Sequence, residues 1–169
     1  MADDNTRPPF DGIIQSVTDY VFDYQITSAN AWKRARLALL DSVACVLEGV
    51  PACASFIGPT VKGTIVPNGF PLPGTPYVLE PLKASFDLGS LIRYLDHNDG
   101  NPGAEWGHPS DNIGAVLPIA DWISRQGDDK ITMKDVFEAI VKAYEIQGCF
   151  QVSTFQLAYH RLKMTIILQ

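Results

Sequence analysis

Apolar residues recur every three or four positions over most of this chain, and that spacing predicts helices. Ile13, Ile14, Val17, Tyr20, Val21 and Tyr24 mark one helix over 12–25. Ser28 reads as an N-cap, and a long helix is expected from Ala29 to Glu48. Ala35, Leu39, Val43 and Val46 form its expected buried stripe, widened by Leu40 and Leu47. Lys33, Arg34 and Arg36 sit near its start, and Asp41 and Glu48 come later. That order opposes the helix dipole, so packing must hold this helix. Gly49 and Pro51 are expected to stop it. A third helix follows over Leu82–Leu95, through Phe86, Leu88, Leu91 and Ile92. A fourth spans Ile113–Arg125, capped by Ser110 or Asp111, with a kink or late start expected at Pro118. After a turn at 126–129, Thr132 and Asp135 form the start signal of a fifth helix, Met133–Gln147. Its stripe is Met133, Val136, Phe137, Ile140 and Tyr144.

The pattern breaks in two places. Residues 50–81 are rich in proline and glycine and leave room only for short extended pieces, Thr64–Val66 and Tyr77–Leu79. So long an irregular segment is expected to wrap a surface or border a site. After Gly148 there is no clear cap, and the chain closes on Ile166-Ile167-Leu168, which reads as a cut-short or divergent tail. There is no internal repeat. The periodic elements are nearly all helical, so the expected fold class is all-α, a helical bundle-like packing.

Composition narrows the class. The chain has 169 residues, 46% of them hydrophobic and 19% charged, which suits one folded domain with a core. A net charge of −6 and a pI near 4.9 argue against nucleic acid and anionic membrane surfaces as partners. No apolar run reaches membrane-spanning length. The start, MADDNTRPPFDG, matches neither a secretory signal nor a transit peptide, so the cytoplasm is the expected compartment, with the mitochondrion as the alternative. Cys45, Cys53 and Cys149 have no zinc or iron–sulfur spacing and read as reduced thiols.

Candidate chemistry concentrates in Leu95–Asn112, LDHNDGNPGAEWGHPSDN. A folding core does not need this mixture of Asp96, His97, Asn98, Asp99, Glu105, His108, Ser110 and Asp111 on a glycine- and proline-rich backbone. An active-site loop does. Asp96 and Asp99 are three apart, so a last helical turn would put both on one face. Two carboxylates held close share protons unequally, which fits one of them for acid–base work. His108 adds an imidazole just before an expected helix N-terminus, a natural seat for a substrate carboxylate. Arg93 or Lys83 are the candidate cations for such a carboxylate. The set suits proton abstraction beside a carboxylate followed by loss of a leaving group. Read singly, Asp96 and Asp99 fit a solvated turn, His108 fits a structural hydrogen bonder, and Tyr94 and Trp106 fit loop packing. No known metal-ligand spacing is matched.

The run LDHNDGNPGAEWGHPSDNIGAVLPIADWISRQG, preceded by GTIVPNGFPLPGT, resembles the MmgE/PrpD family, on the side of its members that dehydrate 2-methylcitrate. The AEWGHPSDN block and the VPNG segment are the specific parts. The resemblance covers residues 10–148, so that 1–148 reads as part of the family's large helical domain and 149–169 as a divergent tail without the lid domain. It implies a dimerising enzyme without cofactor that removes water from 2-methylcitrate, a small tricarboxylate. A relative that decarboxylates cis-aconitate, and a non-catalytic helical module, are the alternatives. It places Asp96 and His108 in the site, where they are expected to act in catalysis; Asp99, Arg93 and Ser110 are expected, from their closeness in the sequence, to bind substrate. Where the family carries threonine and tryptophan after the second aspartate, this chain has Gly100 and Asn101. The smaller residue suits a bulkier alkylcitrate of fungal secondary metabolism.

Overall fold

A computed structural model describes residues 9–104, 106–127 and 131–153. Five helices account for most of them, so the architecture is all-α apart from one small hairpin. The first helix, α1, spans Gly12–Asp23, and Asp11 caps it by accepting the N–H groups of Ile13 and Ile14 at 3.0 and 2.8 Å. No α1 residue is buried. Lys142, far along the chain, donates to the Val21 carbonyl at 2.8 Å and ties α1 to the core.

The second helix, α2, runs Ala29–Cys53 from a Ser28 cap. Neither Gly49 nor Pro51 ends it. Gly49 is there because α2 touches the third helix: a Cβ on it would stand 2.8 Å from the Leu91 carbonyl oxygen. Pro51 lies on the exposed side, where water can hydrate the carbonyl that loses its partner. The buried stripe is also rotated from the expected one. It consists of the small residues Ala31, Ala35, Ser42, Cys45, Val46, Gly49 and Cys53, whereas Leu40 is 67% exposed and Leu47 points outward too. Small residues on α2 let its backbone come close to its neighbours.

Residues 54–80 lie across the core. The hairpin pairs β1, Phe70–Pro71, with β2, Val78–Leu79, antiparallel, Phe70 opposite Leu79. Thr64–Val66 is not a strand; Val66 N–H reaches the Val78 carbonyl at 3.2 Å, while Thr64 N–H and the Val66 carbonyl close local turns on Val61 and Gly69. Phe70, Leu72 and Leu79 are buried and belong to the core, so the irregular segment does cover a surface.

The third helix, α3, spans Pro81–Arg93 with Glu80 accepting the N–H groups of Leu82 and Lys83. Leu88, Leu91 and Ile92 are buried as expected, while Phe86 and Leu82 face solvent. Asp87, also on α3, is fully buried; it pairs with Lys83 and accepts the Gly58 N–H at 2.7 Å. Gly58 has φ +110°, which glycine tolerates, with the Tyr77 ring against it.

A single 3-10 turn, Pro109–Asn112, leads into α4, Ile113–Gln126. The helix runs through buried Pro118 and starts well before it. Gly114 lies so near Gly89 of α3 that a Cβ there would stand 2.6 Å from the Gly89 Cα. Gly127 closes α4 in a left-handed conformation, φ +85°. The last helix, α5, begins as expected: Asp135 accepts both the N–H and the hydroxyl of Thr132 at 2.7 Å. It runs Met133–Ser153, past Gly148, so the first residues of the expected tail continue a helix. Residues 154–169, Asp128, Asp129 and Glu105 lie outside the described residues. Val136, Ile140 and Val141 of α5 close the core where it meets α2 and α4, and Met133 is exposed. Cys45 and Cys53 are buried, Cys149 is half-buried, and all three are free thiols.

Candidate active site

The loop from Tyr94 to His108 leaves α3 by a left-handed residue. Asp96 has φ +58°, and its N–H closes a turn on the Arg93 carbonyl at 3.1 Å. A left-handed non-glycine residue is uncommon, though aspartate tolerates it better than most side chains. The turn separates the two aspartates that helical spacing would have set on one face. The Asp96 carboxylate is 71% exposed and accepts from Arg93 Nη1 at 2.5 Å. Asp99 turns inward. Its carboxylate accepts the Ser110 N–H at 3.2 Å, and its main-chain carbonyl lies 2.6 Å from His108 Nδ1.

That second contact fixes the imidazole. A carbonyl oxygen can only accept, so Nδ1 carries the proton and Nε2 of the neutral ring keeps its lone pair. The first contact alters an expectation. The N-terminus after His108 reads as a carboxylate seat, but the protein's own Asp99 carboxylate already engages the Ser110 N–H there.

Buried amides hold the loop in place. Asn98 Nδ2 donates to Ser110 Oγ at 2.8 Å and to Asp111 Oδ1 at 3.2 Å. Asn101 and Gly107 exchange main-chain hydrogen bonds at 2.8 and 3.3 Å. From α5, Gln147 Oε1 accepts from Asn112 Nδ2 at 2.5 Å, and the same Nδ2 donates to the Pro109 carbonyl at 3.0 Å. One turn on, Gln151 Oε1 accepts from Asn101 Nδ2 at 2.8 Å, and its carbonyl accepts the Ala104 N–H at 3.1 Å. A Cβ on Gly107 would stand 1.6 Å from Gln151 Nε2, so a larger residue there would displace that amide. The reading of the sequence gave Asn98 no role of its own and missed Gln147 and Gln151. A signal existed: two glutamines four apart, in phase with Tyr144, lie on one helical face.

The loop borders a cleft of about 840 Å³ whose walls include Arg34, Leu37 and Leu40 of α2, Asp99 and Gly100 of the loop, and Glu145 of α5. Among the described residues, neither Asp96 nor His108 lines it. Asp99 is the link, with its backbone on His108 and its side in the cleft. The structure therefore joins His108 to Asp99 and Asp96 to Arg93. His97 turns away to α2, where the Glu48 carboxylate, 3.0 Å off, raises its pKa. Lys83 is committed to Asp87 and to the Phe56 carbonyl, 3.5 Å away, rather than to the loop. Trp106 is 76% exposed and so does not pack the loop; Tyr94 stacks at a tilt on Phe56, ring centres 5.7 Å apart.

Burial raises the pKa values of Asp111 and Glu145, with the Arg93 charge opposing the shift at Asp111. Burial, then the nearby Asp99 charge, pushes the Tyr144 phenol well above its ordinary value. A carboxyl whose pKa is raised by folding stabilises the fold below its ordinary range and loses that contribution as pH rises. Glu145→Gln is therefore expected to raise the urea midpoint at pH 7, with the gain shrinking toward zero as pH falls below about 4.3. A gain that is equal at both pH values would assign it to something other than charge burial.

Among the described residues, no group of three histidine, cysteine, aspartate or glutamate side chains could hold a metal ion. No described helix is long and apolar enough to cross a membrane.

The MmgE/PrpD N-terminal domain matches residues 15–166, a span that continues beyond Gly148. The 2-methylcitrate dehydratase-like protein oryR of Aspergillus oryzae is 51% identical, over 89% of this chain and 32% of its own length. The 2-methylcitrate dehydratase of Salmonella typhimurium is 46% identical, over 97% of this chain and 35% of its own. The alkylcitrate dehydratase phiI of a fungal species is 49% identical, over 85% of this chain and 31% of its own. The chain thus spans about a third of the length of the curated relatives it matches. With a family domain matched over most of its length, and with relatives near half identity, this chain belongs to the MmgE/PrpD family.

Proposed function

We propose that this chain takes part in removing water from 2-methylcitrate or a longer alkylcitrate. The observation that carries the reading is the Asp99–His108 contact, which leaves an oriented imidazole with a free Nε2 on the same loop that carries an exposed carboxylate, Asp96, and its cation, Arg93. Two relatives bear the names 2-methylcitrate dehydratase and alkylcitrate dehydratase, and they supply the substrate class.

The reaction breaks a C–H bond beside a carboxylate and a C–O bond on the next carbon, and forms the alkene. His108 Nε2 and the Asp96 carboxyl divide the two proton transfers: one takes the proton from carbon, and the other returns a proton to the departing hydroxyl. Arg93 binds a substrate carboxylate. Ser110, whose buried Oγ accepts from Asn98, is the remaining polar group assigned to substrate binding. Asp99 holds the site together and forms part of the cleft wall. Residues 1–148 take the place of part of the family's helical domain in this reading. The enzyme acts in the cytoplasm as a homodimer and needs no cofactor.

Purified protein incubated with 2-methylcitrate is expected to raise ultraviolet absorbance as the conjugated alkene forms. No rise overturns the reading for this chain, and release of CO2 from cis-aconitate would favour a decarboxylase instead.

Gly100 sets the finer choice of substrate. It lines the cleft across from Leu37 and Leu40, where an alkyl substituent fits better than a hydroxyl. Butyl- or hexyl-citrate should turn over faster than methylcitrate, and equal or better methylcitrate turnover removes the long-chain assignment. Gly100→Thr is expected to lower kcat/KM for the longer substrate by about tenfold relative to methylcitrate. A Cβ there would meet nothing nearer than the Trp106 ring at 3.9 Å, so strain does not confound the result.

A further inference from the structure

We propose that Gln147 is a positioning residue for His108, acting through Asn112. The inference rests on the dehydratase reading only in giving that imidazole a chemical task. The chain of contacts is short. Gln147 Oε1 accepts one proton of the Asn112 amide at 2.5 Å, and the other proton of that amide goes to the Pro109 carbonyl at 3.0 Å. Pro109 follows His108 directly, and the His108 ring reaches back to the Asp99 carbonyl. The imidazole is thus held between two anchors. On one side stands Asp99 of the loop. On the other stands α5, whose Val136, Ile140 and Val141 are set in the core.

The direction of each bond matters. The Pro109 carbonyl can only accept, so Asn112 must present its NH2 to it. The same NH2 is then aimed at α5, and its partner there must be an acceptor. Gln147 supplies one from a residue half-buried on the helix face that meets the 3-10 turn. Without the acceptor, the Asn112 amide is free to rotate, Pro109 loses its tether, and the ring loses a fixed approach to Asp99. An amide pair with no charge can do this without changing the field at the imidazole. The role is therefore one of geometry, and it differs from the electrostatic effect that a charged partner would exert.

The test reads the ring itself. In 15N-labelled protein, two-bond nitrogen–proton spectra of the histidine rings are expected to show His108 in a single Nδ1–H tautomer. Gln147→Met keeps the length and removes the acceptor, and Asn112→Ala removes the amide. Each is expected to give a tautomer mixture at His108 while the His97 signals stay in place. Gln147→Glu keeps an acceptor oxygen and is expected to hold the single tautomer. It also serves if the methionine variant does not fold. Turnover of 2-methylcitrate is expected to fall about tenfold in kcat with KM nearly constant, because small misplacements of a reacting group are costly. The double variant Gln147→Met/Asn112→Ala is expected to match the single ones, since the residues act in series. Unchanged His108 signals in Gln147→Met and Asn112→Ala, or effects that add, overturn the proposal. A wild-type protein that shows no turnover overturns the dehydratase reading, while the ring spectra still decide this one.

Discussion

His108→Ala is expected to lower 2-methylcitrate turnover by about 10²–10⁴-fold, the span lost when a positioned acid–base group is removed. The size follows from orientation. The Asp99 carbonyl fixes the ring so that Nε2 is the atom left for substrate. No other described histidine can replace it, because His97 is turned onto Glu48 at the surface of α2. His97→Ala is therefore the matched control and should retain activity within about twofold, as a surface change away from the site. Initial rates from pH 5 to 9 check both variants. A His108→Ala protein with near wild-type rates would move the proton transfers to other groups. Asp96→Asn would then be the next variant to measure.

The largest effect on stability is expected at Asp87. Its carboxylate is fully buried, pairs with Lys83 and accepts the Gly58 N–H at 2.7 Å. Replacing it with alanine leaves a partly buried ammonium and a buried N–H without a partner. Breaking one half of such a pair costs about 3–5 kcal/mol. The damage also spreads along the chain. Gly58 holds φ +110° under the Tyr77 ring, and Asp87 is what anchors that strained turn to α3. Phe70, Leu72 and Leu79, which the segment carries into the core, would loosen with it. Urea unfolding at pH 7 measures the loss. A change under about 1 kcal/mol would mean that the pair breaks even against its own desolvation, as some exposed pairs do.

Much of this fold is legible in the chain because helical periodicity is local. Thr132 and Asp135 announce the start of α5, and Ser28 announces that of α2. The errors arise where a distant partner decides. Gly49 looks like a stop until the Leu91 carbonyl is found against it, and Leu40 looks buried until the small face of α2 is seen to take the core. The same holds at the site. The loop stands out by composition, and His108 with Asp99 is a pair that composition makes plausible. That Asp96 turns outward follows from one left-handed residue, which no spacing rule encodes. Gln147 and Gln151 were readable only as polar positions on one helical face. Which loop atoms they grip depends on how α5 lies against the 3-10 turn, a relation between residues 35 to 50 positions apart.

The contact between Gly89 and Gly114 has a practical side. It nails together the two rods from which the reactive segment hangs, so the span between them has fixed feet. Redesign for other polyacids can then rewrite the tip around Pro102–Trp106 as one would change the bit on a chuck, keeping both glycines. A side chain as small as a methyl on Gly114 would tilt the rods and carry every group above them out of register, whereas one on Gly89 would meet only the Gly114 Cα at 4.0 Å.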